Sequence, residues 1–139
     1  MSRRSLLLAG MLIFFRSVAP AYADPCKAPL PAQPGVRFSG KVQYVGDGDG
    51  LCVGKTADPS EWVEVRLADF DASELHQAAG AAAKAALERI ALHRQVTCTT
   101  ERGRSGRVVS FDRVIARCRI GSTSIGDLLR QEGLAEGGI

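Results

Sequence analysis

Three stretches of this 139-residue sequence bring together side chains capable of chemistry. The first is Asp47-Gly48-Asp49-Gly50. Asp and Gly are the favoured residues of tight hairpin turns, which would account for the stretch without any ligand. The same two carboxylates are also hard oxygen donors of the kind a divalent cation takes. An EF-hand loop is excluded, because it needs an oxygen ligand at its fifth position and Gly at its sixth, where this chain has Leu51 and Cys52. The second stretch runs Arg66-Leu67-Ala68-Asp69-Phe70-Asp71-Ala72-Ser73-Glu74. It places an arginine on the non-core face of a strand and carboxylates just beyond the strand end, a pattern that a solvated terminus with a helix N-cap would also give. The third holds Arg113, Arg117 and Arg119 at even spacing, opposite Val114, Ala116, Cys118 and Ile120. Three guanidinium groups on one strand face either line a solvated surface or meet something anionic. The loop Arg102-Gly103-Arg104-Ser105-Gly106-Arg107 adds local positive charge and by itself reads as a mobile surface loop.

The elements that must position these residues follow from periodicity. Residues 36–44 alternate apolar and polar, which predicts a strand up to the glycine-rich break at 46–50. Residues 51–54 resume it, and residues 62–70 form a third strand with Val63, Val65 and Leu67 on one face and Glu64 and Arg66 on the other. Residues 73–92 are helical in character, with Ser73 as N-cap, Glu74 in the first turn and an apolar stripe of Leu75, Ala79, Ala83, Ala86, Leu87 and Ile90. Residues 96–100 and 114–120 read as two further strands, and residues 125–131 as a short helix stopped at Gly133. Five strands with a helix between the third and fourth and a short C-terminal helix predict an α+β chain: a five-stranded Greek-key barrel of the OB-fold type.

The first 23 residues are of another kind. Arg3 and Arg4 precede an apolar run from Leu6 to Phe15, and Ala21-Tyr22-Ala23 is a small-residue cleavage box. These are the marks of a secretory signal peptide, and the apolar run is too short to span a bilayer. Cleavage after Ala23 leaves a proline-rich lead-in at 24–35 and one domain at 36–139, exported to the periplasm or beyond and without stable membrane association. It also removes three arginines and no acid, leaving 15 basic and 15 acidic residues, so any attraction to phosphate must be local. Cys26, Cys52, Cys98 and Cys118 lack zinc-ligand spacing and fit two disulfides in an oxidising compartment. Cys98 and Cys118 lie in runs that read as adjacent antiparallel strands, which favours pairing them and leaves Cys26 with Cys52.

Taken together, residues 36–135 resemble the staphylococcal nuclease (thermonuclease) family. The resemblance rests on Val45-Gly46-Asp47-Gly48-Asp49 for its V-x-D-G-D segment, and on Arg66, Leu67, Asp71 and Glu74 for R-L-x-x-x-D-x-x-E. Phe111-Asp112-Arg113-Val114-Ile115-Ala116 supplies its [YF]-x-R-x-[LVI]-A segment, and Gly133-Leu134-Ala135 its closing G-L-A. The resemblance implies a Ca²⁺-dependent phosphodiesterase that cuts DNA and RNA with little sequence preference, favours single strands, works as a monomer and leaves 3′-phosphates. Asp49, Asp71 and the backbone carbonyl of Ala72 would hold Ca²⁺. Glu74 would orient or deprotonate the attacking water, and Arg66 and Arg113 would grip the phosphoryl oxygens. The chain departs from the family at Gly50, where Thr is usual, and at Ser73, where Pro is usual. Both departures imply weaker calcium affinity. A non-catalytic OB module binding nucleic acid or another envelope ligand is the alternative, but it has no use for Glu74.

Overall fold

Strand β1, Arg37–Asp47, runs straight through the region where alternation predicts a strand, and ends three residues later than that pattern does. The computed structural model describes residues 24–137, so the signal peptide expected at 1–23 lies outside the described residues. β1 turns through Gly48 and Asp49 into β2, Gly50–Gly54, pairing Asp47 with Gly50 across the hairpin. After a 3₁₀ turn at Pro59–Glu61, capped by the side chain of Asp58, comes β3, Val63–Leu67. Helix α1, Ala78–Ala91, is followed by β4, Gln95–Thr100, and β6, Arg113–Ile120, with the two-residue β5, Val109–Ser110, between them. A further short strand β7, Thr123–Ser124, leads into helix α2, Ile125–Gln131. Sequence patterning did not reveal β5 or β7, since two residues carry no period.

The five long strands pair in the order β3-β2-β1-β4-β6, and a parallel pairing of β3 with β6 closes the circle. The architecture is thus α+β: an OB-fold-type Greek-key barrel carrying two helices. Its core contains Val42, Leu51, Val65, Leu67, Val96, Val114 and Ala116 from the strands, Leu87 from α1, and Ile125 and Leu129 from α2. Among the described residues no helix is long and apolar enough to cross a membrane.

Two expectations about α1 are corrected. Ser73 does not cap it and Glu74 is not in its first turn: Gln77 occupies the N-cap position without a side-chain cap bond. Residues 73–77 instead form an open loop folded back on the first turn, where the Gln77 N–H donates to the Glu74 carbonyl (2.9 Å). Gly80 explains the detour, because a Cβ there would collide with the carbonyl oxygen of Glu74 and come within 2.6 Å of that of Ser73. The predicted stripe is likewise shifted, since Leu75 and Ala79 are exposed while Gly80, Ala83, Ala86, Leu87 and Ala91 are buried. β3 also stops at Leu67 rather than Phe70.

Both disulfides are as expected. Cys98 and Cys118 are direct cross-strand partners of β4 and β6, with Cα atoms 4.0 Å apart. Cys26–Cys52 ties the lead-in to β2, and no free cysteine remains among the described residues. Its 26-residue separation gives a loop-closure contribution of about 2–4 kcal/mol. Replacing Cys26 and Cys52 together by Ala should lower the urea-unfolding free energy by that amount. A loss below about 1 kcal/mol would mean that the lead-in is held by its other contacts, such as Lys27 N–H to the Pro59 carbonyl.

Candidate active-site cleft

Asp49 sits at the tip of the β1–β2 hairpin, and the packing around that tip buries it. A Cβ on Gly48 would run into the side chains of Ala83 on α1 (2.5 Å) and Ala72 (2.7 Å), so only glycine lets the hairpin wedge between them. The tip is further pinned by the Leu67 N–H donating to the Asp49 carbonyl (2.8 Å) and the Asp49 N–H donating to Asp47 Oδ1 (3.1 Å). The Asp49 side chain retains only 8% exposure. Its Oδ2 accepts the N–H of Ala72 (2.8 Å) and lies 3.4 Å from Arg66 Nη2. Burial pushes its carboxyl pKa up; the Arg66 charge works against this, Asp47 adds to it, and the result is about 6.

Arg66 organises the loop that follows β3. Its Nη1 donates to the carbonyls of Leu67 and Phe70, and its Nη2 donates to Asp71 Oδ1 (2.6 Å), so one guanidinium reaches both Asp49 and Asp71. Phe70 anchors the loop in the core, and residues far along the chain close over it. The Asp71 N–H donates to Glu136 Oε1 (3.2 Å) and its carbonyl accepts from Gly137 N–H (2.8 Å).

Arg113 enters from β6, the parallel neighbour of β3, two residues before the partner of Arg66 in the ladder. Its Nη1 stands 3.5 Å from Asp47 Oδ2 and 3.7 Å from Asp49 Oδ1, looser than the contacts of Arg66. The preceding two-residue turn, Phe111-Asp112, has positive φ at both positions (50° and 61°), a conformation that side-chain-bearing residues rarely adopt. It leaves the Phe111 ring 93% exposed.

All these groups face one cleft of about 680 Å³. Asp49, Arg66, Asp71, Ala72, Glu74 and Arg113, the residues singled out from the sequence, all line it. Glu74 does so from the largely exposed 73–77 loop, and its side chain forms no ion pair among the described residues. Ala72 meets Asp49 through its N–H. Arg117, grouped by spacing with Arg113, is instead paired with Asp69 and Glu101. Arg104 and Ser105 of the basic loop also line the cleft, and that loop is a hydrogen-bonded turn (Gly103 N–H to the Arg107 carbonyl, 2.8 Å). Sequence reasoning did not single out Glu136 or the exposed Phe111 ring as part of this cleft. The tail position of Glu136 gave no signal, whereas Phe111, an aromatic beside an arginine, was within reach.

The donor set suits a hard cation. Among the described residues no three His, Cys, Asp or Glu side chains cluster as a metal-holding group. Asp49 and Asp71 nevertheless converge on one arginine, and the ionised form of Asp49 is disfavoured by burial, which a divalent cation would offset. Gly50 has a local explanation too. A Cβ there would come within 2.7 Å of Asp47 Oδ1 and 3.1 Å of Arg113 Nη1, so the bare backbone makes room for both groups.

In comparisons with known proteins, no family model matches the chain and no curated protein is similar to it.

Proposed function

We propose that this chain is an exported, calcium-dependent phosphodiesterase that hydrolyses DNA and RNA with little sequence preference and leaves 3′-phosphates. One observation carries the proposal: Asp49, Asp71, Glu74, Arg66 and Arg113, brought from the β1–β2 hairpin, β3 and the loop after it, and β6, all line a single cleft. Asp49 and Asp71 would hold Ca²⁺ together with backbone carbonyl oxygen, as Ala72 is proposed to supply. When bound, the ion would supply Lewis-acid charge to the phosphoryl group.

The remaining chemistry belongs to side chains. Glu74, outside any ion pair among the described residues, accepts a proton from the attacking water as its oxygen bonds to phosphorus. Arg66 and Arg113 come from the paired strands β3 and β6 and flank Asp49, where their planar donors can meet the charge that accumulates on the phosphoryl oxygens. The bond from phosphorus to the 5′-oxygen breaks, that oxygen takes a proton from solvent water and leaves as a 5′-hydroxyl, and Glu74 returns its proton to solvent. Phe111 offers an aromatic face at the rim, and a stacked base there would contribute about 1–3 kcal/mol. We take the substrate as single-stranded and the working form as a monomer without lasting membrane attachment, in the periplasm or outside the cell. The two disulfides are compatible with such a compartment.

The decisive test incubates protein beginning at Asp24 with heat-denatured DNA, in Ca²⁺ or in excess calcium chelator. Cleavage that requires calcium and yields 3′-phosphate ends is expected. Calcium-independent cleavage would overturn the mechanism, and binding without cleavage would make the chain a non-catalytic OB module.

A further inference from the structure

The outward face of the barrel carries a second set of cations, separate from those committed to the cleft. β1, β4 and β6 lie side by side, and their register fixes which residues share a face. Arg37 is opposite Thr99, which is opposite Arg117; Ser39 is opposite Thr97, which is opposite Arg119; Lys41 is opposite Gln95. The intervening positions, such as Cys98 and Cys118, point into the core. Arg37, Lys41 and Arg119 therefore stand on one outer surface, and all three are exposed. None of the three is ion-paired among the described residues, whereas Arg66, Arg113 and Arg117 all are.

This surface continues the cleft. On β6, side chains two apart share a face, so Arg113 and Ile115, which line the cleft, are followed on the same side by Arg117 and Arg119. From Arg113 to Arg119 is about 20 Å at the rise of a strand, and crossing to β1 adds about 10 Å. Hydroxyls of Ser39, Thr97 and Thr99 fill the gaps between the cations and are donors of the kind that phosphate oxygens accept. A chain whose charge balances to zero once residues 1–23 are removed thus gathers a local surplus of positive charge on this face.

We infer that the outer face of β1, β4 and β6, through Arg37, Lys41 and Arg119, is a secondary track for the phosphate backbone of a nucleic-acid strand whose scissile bond lies in the cleft. The inference rests on the proposed nuclease activity, and it narrows the substrate to polymers over short fragments. Nucleic acid is favoured over an anionic lipid surface because hydroxyls lie between the cations and Val36 at the edge is a single exposed apolar side chain, too little for an anchor. Among the described residues the exposed large hydrophobics are Val36, Leu75 and Phe111, and two of these lie at the cleft.

The test measures fluorescence anisotropy of labelled dT20 and dT4 at several salt concentrations in Ca²⁺. It compares the Glu74→Ser protein with the same protein carrying Arg37→Gln, Lys41→Gln and Arg119→Gln. For dT20 the triple change should weaken binding at least tenfold at 50 mM salt. It should also make the log K against log salt slope shallower by about 2, because each phosphate neutralised on a single strand accounts for about 0.7 of that slope. Binding of dT4, which reaches only the cleft, should change less than twofold. Unchanged dT20 affinity and slope would overturn the track, as would weakening of dT4 and dT20 binding in equal measure. Binding of phosphatidylglycerol vesicles through the same three residues, with dT20 unbound, would assign the face to membranes and overturn it too. Cleavage of dT4 by the triple variant with Glu74 restored separates the two ideas: if it persists while dT20 binding is unaffected, only the track fails. If the parent never cleaves but binds dT20 through these cations, only the catalytic proposal fails.

Discussion

Replacing Glu74 with Gln is expected to lower calcium-dependent cleavage of denatured DNA by about 10²–10⁴-fold, the range of a lost general base. The amide keeps the size and the hydrogen-bonding reach of the side chain but cannot take a proton from water. Because Glu74 is exposed in the 73–77 loop and not in the first turn of α1, no cap or helix-dipole contribution goes with it. The unfolding free energy should thus stay within about 0.5 kcal/mol of the parent. That separation is informative. Loss of cleavage together with a large loss of stability would indicate a structural role, and retention of more than a tenth of the parent rate would remove Glu74 from the chemistry. Calcium affinity, measured by titration calorimetry, should be almost unaltered, since the proposed ligands are Asp49, Asp71 and a carbonyl.

The second large effect is a gain in stability. Asp49 has its carboxyl raised from 3.8 to about 6, first by burial, with Arg66 pulling it down and Asp47 pushing it up. Between those two values the folded protein holds a proton that the unfolded chain has released. Stability in calcium-free buffer therefore falls as pH rises through that window, and stays lower above it. Asp49→Asn removes the buried charge. At pH 8 without calcium the variant should be more stable than the parent, by on the order of 1–3 kcal/mol. The gap should close below about pH 4. Glu64, raised to about 7 by burial and by its neighbour Asp24, is common to both proteins and cancels in the comparison. Calcium should stabilise the parent and leave the variant unmoved. A pH-independent gap, or a variant less stable at pH 8, would show that the arginines fully compensate the carboxylate. A site that gains stability when its ligand is deleted is one maintained for function.

Much of this site was legible because strands keep a period of two. Arg66 and Arg113 could be assigned to outward faces from Val65, Leu67, Val114 and Ala116 alone, and the cross-strand position of Cys98 and Cys118 follows from the same alternation. The helix start was misplaced because propensity favours extending the alanine run backwards through Ser73. What decides it is instead tertiary: Gly80 backs onto the carbonyls of Ser73 and Glu74, and that approach depends on where Ala72 and Asp49 must meet. No local pattern encodes it. The cationic face was hidden for a related reason, since Arg37 and Lys41 become neighbours of Arg119 only through the register of three strands. The bond from Asp71 to Glu136 spans 65 residues and left no trace in either segment.

That last contact bears on when the cleft comes into being. Under an export route that threads the chain unfolded, its first residues emerge first. β1, β2 and β3 with the Cys26–Cys52 bond can then be in place while later residues are still threaded. In the loop bearing Asp71, the backbone N–H and carbonyl of that residue bond to residues 136 and 137 and to no others among the described residues. Loop-closure entropy over so long a separation makes this a late step of folding. The lip of the cleft is thus the last part of the barrel to set, and a partly delivered chain carries the carboxylates and arginines without the geometry that would let them act.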